Sequence, residues 1–105
     1  MKSINMNELI ASVRVWGEEK GIIGANGTAT VKAQMGKLYE EFEELEEALL
    51  YDDQEEVIDA IGDMTVVLIL LAELRDVRFE DCLQAAYDEI KGRTGQMVNG
   101  TFIKD

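Results

Sequence analysis

Glu56, Asp59 and Asp63 are spaced i, i+3 and i+7, which on an α-helix sets three carboxylates on one stripe. Continued along the chain, the stripe becomes Val67, Leu70 and Leu74. Acidic groups therefore align with the most apolar part of the sequence. Burying ionised carboxylates without partners costs several kcal/mol each, so such groups require cations or strong donors. The chain has ten lysines and arginines against 22 acids, and most of those cations lie elsewhere. Metal ions meet the need.

A second source of carboxylates lies upstream, in the acid-rich run Glu40–Glu47. With each helical residue advancing by ~100°, Leu38, Phe42, Leu45 and Leu49 point one way and define an expected core face. Glu40, Glu43 and Glu47 point away from it, toward solvent. Glu41 and Glu44 fall on one flank of the apolar stripe, in line with Gln34 and Lys37 and next to the small Ala48, whereas Glu46 falls alone on the other flank. Two helices offering carboxylates to a shared site is an established way of building metal centres in bundles. Oxygen ligands without histidine or thiolate favour a hard cation, Mg²⁺ or else Mn²⁺. Magnesium commonly shares its coordination with substrate phosphates, which predicts a phosphorylated substrate and an activated water as nucleophile.

Other chemistries are excluded by composition. The chain contains no histidine, so the usual zinc sites and His-dependent triads are impossible. The single cysteine, Cys82, cannot form an internal disulfide, and its place in an apolar pattern predicts a small buried residue. A net charge of −12 argues against binding a nucleic acid polymer or an anionic membrane unaided. The N-terminal sequence MKSINMNELI lacks the apolar stretch of a signal peptide. The longest apolar run, Met64–Ala72, is far below the ~20 residues needed to span a bilayer. A cytoplasmic location is the resulting expectation.

Four helices are expected to position these groups within one domain, residues 1–105. The first runs from Met6 to Lys20, with Leu9, Ile10, Val13 and Trp16 at helical spacing and Gly21 as its C-cap. The stretch Gly21–Thr30 reads as a loop, without the GK[ST] that a phosphate loop requires. Thr28 or Thr30 caps a second helix ending near Tyr51. Asp53 with Glu56 resembles a capping box opening the third helix, which runs to Leu74. The fourth extends from Phe79 to Lys91 or Gly92, with Arg78 an unusual residue at its cap position. The tail 92–105 shows no clear period and is expected to be irregular or weakly β. Met64–Ala72 is apolar nearly all round its helix, and a chain of 105 residues has little interior in which to hide it. Self-association is expected, a dimer at the least. Gly62 would permit close approach of a neighbouring backbone at a cost of ~1 kcal/mol relative to alanine.

The segments KLYEEFEELEEAL (Lys37–Leu49) and EVIDAIGDMTVVLILLAEL (Glu56–Leu74) resemble the MazG-like all-α nucleoside triphosphate pyrophosphatases. The family pattern is ExxE on one helix and ExxD on the next, with a lysine one turn before the first glutamate. Glu41 and Glu44 match ExxE, and Asp63 matches the final aspartate in its Gly62–Asp63 context. The ending AYDEIKGRTGQMVNGTFIKD looks like that of the short, phage-type members. In one departure, the glutamate expected three residues before Asp63 is Ala60. Asp59, one residue earlier, or Glu56, one turn further back, would have to supply that ligand.

What the resemblance implies is a four-helix, bundle-like all-α fold that associates through its apolar third helix into a dimer or a dimer of dimers. The implied activity is Mg²⁺-dependent hydrolysis of ribo- or deoxyribonucleoside triphosphates to a monophosphate and pyrophosphate. Metal would be held by Glu41, Glu44, Asp59 and Asp63, with Glu56 nearby. Lys37 would either reach a phosphate or pair with Glu41. Lys91 and Arg93 correspond to basic residues that contact phosphate in family members, although cations near a helix C-terminus are also common for dipole reasons. Trp16 would stack on a base, or else serve the core or an interface as its place in the apolar stripe suggests. Tyr87 and Asp88 are further candidates for contacts to base or sugar. Two rival readings stand beside this one. The first is a phosphoribosyl-ATP pyrophosphohydrolase, with the same fold class and chemistry, and the second a non-enzymatic acidic helical protein that binds a partner.

Overall fold

The computed structural model describes residues 3–105. Four helices are followed by a two-stranded hairpin: α1 (Met6–Glu19), α2 (Val31–Leu50), α3 (Gln54–Leu74), α4 (Phe79–Ile90), β1 (Gly95–Val98) and β2 (Thr101–Lys104). The fold is all-α in its body.

Local chemistry sets the helix limits. Side-chain oxygens of Asn5, Thr30 and Asp53 accept from the backbone N–H groups of Glu8, Ala33 and Glu56, so three of the four helices begin on a capped first turn. Helix α4 starts at Arg78 with no side-chain cap. α1 ends in a Schellman motif: Gly21 takes φ +74°, its N–H donates to Glu18 O at 3.1 Å, and the Ile22 N–H donates to Gly17 O at 2.9 Å. Asp52 and Asp76 adopt the same left-handed conformation after α2 and α3, with φ of 52° and 59°. These sharp stops fold α2 back against α3, the most extensive helix pairing of the molecule. Gly17 lets α1 approach α3: a Cβ there would lie 2.6 Å from Leu70 Cδ2 and 3.2 Å from Ile23 Cγ1.

The tail is more regular than expected. Residues 95–104 form an antiparallel hairpin pairing Gly95 with Lys104 and Val98 with Thr101. Its two-residue turn is Asn99–Gly100, both at positive φ (49° and 84°), the conformation in which Asn-Gly connects strands of natural twist.

The core differs from the apolar stripes of the sequence. Ile10, Ile23, Ala48, Ala60, Val67, Ile69, Leu70 and Ala72 are buried. Of the stripe expected to form the α2 core face, Phe42 is 48% exposed and Leu49 62% exposed, while Leu38 and Leu45 are half-buried. The α2 residues that are buried are Glu41 and Ala48. The apolar face of α2 therefore has no cover within one chain. Helix α4 buries no residue, and Cys82 is exposed rather than buried because its helix is left largely uncovered within one chain. On α3, Ile58 and Ile61 are also exposed, and a Cβ on Gly62 would meet no atom of this chain. The accessible surface is 8294 Å², where a compact monomer of this size has about 5,900 Å². The radius of gyration is 16.2 Å, against about 13 Å for a globular chain of this length. No helix of the described residues is long and apolar enough to cross a membrane.

Candidate functional site

Packing of α2 on α3 brings Glu41, Glu44 and Asp63 together, with one carboxylate oxygen of each lying within 4.8 Å of the others. Their burial differs: Glu41 is buried, Asp63 half-buried and Glu44 exposed. Acids at a flank of α2 thus meet the C-terminal member of the α3 stripe. The other two members stay outside the cluster. Asp59 and Glu56 are both exposed, Glu56 lining a surface recess with Glu47, Tyr51 and, from the cluster, Glu44. Ala60, at the place where a further glutamate was expected, is 3% exposed and packs in the core. Neither Asp59 nor Glu56 joins the three-carboxylate cluster in its stead. The α3 stripe becomes buried only beyond Asp63, at Val67 and Leu70, and Leu74 is half-buried.

Glu41 carries the strongest indication of a ligand. Only 4% of the residue is exposed, and its Oε2 has no hydrogen-bond partner among the described residues. Its Oε1 faces Lys37 Nζ at 3.3 Å, which holds the lysine above its ordinary pKa, the hydrogen bond being the main cause. Asp63 is pushed up from the usual carboxylate range, first by burial and then by the charges of Asp59 and Glu41, with Lys37 opposing. Three carboxylates facing one ammonium leave a net charge of −2 when all are ionised. An orphaned buried oxygen, surplus negative charge and an all-oxygen donor set fit a hard divalent cation.

Trp16 is 43% exposed, and so belongs neither to the core nor to a closed helix contact in this chain. It lines a cleft of about 450 Å³ with Gln34, Lys37, Glu41, Asp63 and Leu70, among others. Lys37 pairs with Glu41 and also lines the cleft. Gln34, on the polar flank of α2, lines the same cleft; its place on that flank is visible in the helical spacing, but its sharing a cleft with Trp16 is not.

The C-terminal candidates lie elsewhere. Lys91 Nζ donates to Asp88 Oδ1 at 3.2 Å, and Arg93 Nη2 donates to Glu89 Oε1 at 3.1 Å. Asp88, Lys91 and Arg93 line a shallow recess with the hairpin residues Lys104 and Asp105, which none of the clustered carboxylates shares. Tyr87 is 56% exposed on α4. Within one chain these residues do not meet the carboxylates.

One buried ion pair has no signal in the sequence. Arg14, 9% exposed, donates from Nη1 and Nη2 to Glu80 Oε1 and Oε2 at 2.7 and 2.6 Å, and its Nε lies 3.6 Å from Glu73 Oε1. The bidentate contact pulls the Glu80 carboxyl down to about 2. It ties α1 to the first turn of α4 and to the end of α3. The partners are 66 residues apart and no local pattern marks them.

Comparison with known families agrees with this architecture. The profile of the phosphoribosyl-ATP pyrophosphohydrolase family matches residues 26–89, which span α2, α3 and most of α4. The ending 86–105, on which the expected likeness to phage-type members rests, lies mostly outside the match. No curated protein and no solved structure matches the chain. With more than half of its length matched, the chain belongs to the phosphoribosyl-ATP pyrophosphohydrolase family, and through it to the MazG-like all-α superfamily of pyrophosphatases.

Proposed function

We propose that the protein is a Mg²⁺-dependent pyrophosphohydrolase that releases pyrophosphate from a nucleotide bearing a 5′-triphosphate. The observation that carries this reading is the buried Glu41, with an unpartnered Oε2, beside Glu44 and Asp63. Family membership supplies the reaction class, hydrolysis of an acid anhydride in a nucleotide. It also orders the substrates: phosphoribosyl-ATP comes first, ahead of the ordinary nucleoside triphosphates to which the MazG-like resemblance of the sequence points. Both substrate classes present the same bond to be cut, between the α- and β-phosphates.

Glu41, Glu44 and Asp63 are the residues that would hold the cation. When bound, it would offset charge on the phosphates and lower the pKa of attacking water. Lys37 adds a positive charge at the cleft wall next to Glu41. It can bind a phosphate oxygen without releasing the carboxylate, because an ammonium has three donors. Trp16 offers a half-exposed ring on which a base can lie. A role in binding a partner through exposed acids would give no reason for the buried carboxylate of Glu41.

The surface left open by a single chain supports assembly into at least a dimer. The excess over a compact monomer is roughly 2,400 Å² per chain, in the range that obligate interfaces bury. Assembly is also the route by which Lys91 and Arg93 of one copy would reach a triphosphate held by the carboxylates of another.

The test is turnover of phosphoribosyl-ATP and a panel of ribo- and deoxyribonucleoside triphosphates, with Mg²⁺ or with EDTA. Pyrophosphate should appear only with the metal, and Glu41→Gln should lower the rate by at least about 100-fold. Orthophosphate as the first product would assign the wrong bond. Absence of turnover together with absence of stabilisation by Mg²⁺ would return the protein to the partner-binding class.

A further inference from the structure

The cleft beside the carboxylates is lined mostly by two kinds of side chain. Lys37, Glu41 and Asp63 are charged, and Ile22, Val66 and Leu70 are apolar. Gln34 is the one uncharged lining side chain that offers both a donor and an acceptor. Its backbone N–H is committed to Thr30 O at 3.0 Å, but its amide group makes no hydrogen bond among the described residues. It is half-buried, so a bound ligand would complete the removal of its amide from water.

Position along α2 says what that ligand group is. Gln34, Lys37 and Glu41 share one face, and Glu41 lies seven residues beyond Gln34, about 10.5 Å along the axis. A nucleoside monophosphate in extended form covers such a span between its phosphate and the far edge of its base. With phosphate at Lys37 and Glu41's cation, the base comes to lie between Trp16 and the start of α2. We propose that Gln34 reads the hydrogen-bonding edge of the nucleobase stacked on Trp16 and thereby sets the base preference of the enzyme. This rests on the nucleotide reading of the site given above.

The physical reason for discrimination is the cost of an unpaired amide. A base whose edge complements donor and acceptor satisfies both groups of Gln34; one with the wrong pattern leaves a desolvated group without a partner. Stacking on Trp16 is tolerant of base identity, because every base presents a π-face. Affinity and selectivity are thus divided between the two residues.

Trp16 is the sole tryptophan of the chain, so intrinsic fluorescence reports on ring stacking directly. Wild-type protein and the variants Gln34→Leu and Gln34→Glu would be titrated in Mg²⁺ with AMP, GMP, CMP and UMP, and with ribose 5-phosphate as a probe lacking a base. The wild type should be quenched with apparent affinities spread over at least about tenfold among the four bases, and not by ribose 5-phosphate. In Gln34→Leu the quenching should persist while the spread contracts to within about threefold, and in Gln34→Glu the ranking should change. An unaltered ranking in Gln34→Leu overturns the proposal, as does absence of base-dependent quenching in the wild type. Equal weakening of every ligand would mean that Gln34 shapes the helix start only, and would also overturn it. The underlying reading fails separately: base-selective quenching without pyrophosphate release in the turnover assay would retain the base subsite and remove the hydrolase.

Discussion

Asp63 holds its proton more tightly than an ordinary aspartate, whose value is 3.8, because burial and the neighbouring acids Asp59 and Glu41 disfavour its ionised form. Its folded-state pKa is therefore above that of the unfolded chain. The stability it contributes is complete below the ordinary aspartate range and is lost as pH rises through the raised value. In EDTA, Asp63→Asn should melt a few degrees above the wild type at pH 7, and the difference should vanish on acidification toward pH 4. Added Mg²⁺ should reverse the order at pH 7, since only the wild type gains a ligand-bound state. A metal-free Asp63→Asn protein no more stable than wild type at pH 7 would contradict this account. Apparent metal affinity should also fall with falling pH, since proton and cation compete for one carboxylate.

At the level of elements, Arg14 fastens the start of α4 to α1. Removing one member of a buried pair strands the charge of the other. Arg14 keeps Glu73 at 3.6 Å, and Glu80 is only partly enclosed, so the penalty for Glu80→Gln is moderated to about 2 kcal/mol. Urea unfolding at pH 7 should show that loss, whereas Arg78→Ala, removing an exposed guanidinium 3.7 Å from Glu80, should fall within about 0.5 kcal/mol of wild type. Glu80 is depressed to about 2, so its contribution is present above 4.5 and is lost as pH falls from there through about 2. The two unfolding curves should converge in that window. Periodicity and caps make the helices legible in the sequence, with α2, α3 and α4 ending at or within one or two residues of the expected places. The hairpin is not read from the sequence: its short strands are exposed on both faces and carry no apolar alternation to mark them, and only the turn Asn99–Gly100 is a local signal. Glu41 and Glu44 can be placed on one flank of α2 by angle alone, and Asp63 on its α3 stripe. That Glu56 and Asp59 fall outside the cluster depends on how α2 crosses α3, which helical period does not encode. The Arg14–Glu80 pair depends on chain closure over 66 residues and is invisible to local pattern for that reason.

For the molecule as a whole, the uncovered faces of α2 and α4 are the main anomaly of a single chain. Leu83, Tyr87 and Ile90 follow one stripe of α4, exposed by 59%, 56% and 52%. Side chains of this kind, together with Phe42 and Leu49 on α2, explain why an apolar stripe that correctly signals a helix fails to signal the core of this chain. Sedimentation equilibrium at micromolar concentration should give two or more copies. Leu83→Asp should shift the population toward a monomer and lower turnover in parallel, because burying an unpaired carboxylate in the interface is unfavourable. A wild-type protein that sediments as a monomer with full activity would rule out this assembly.

The gap between α1 and α3 is gauged by an atom that is not there. Gly17 sits against Leu70 with room for hydrogen alone, and Trp16 and Leu70 each line the nucleotide-sized cleft. A single added methyl group at residue 17 would press on the side chains of Leu70 and Ile23, and Leu70 is itself part of the cleft wall. The position of one wall of the cleft is thus set partly from behind it, at a residue that does not line it. A chain could retune what it admits there without altering any residue that touches the ligand.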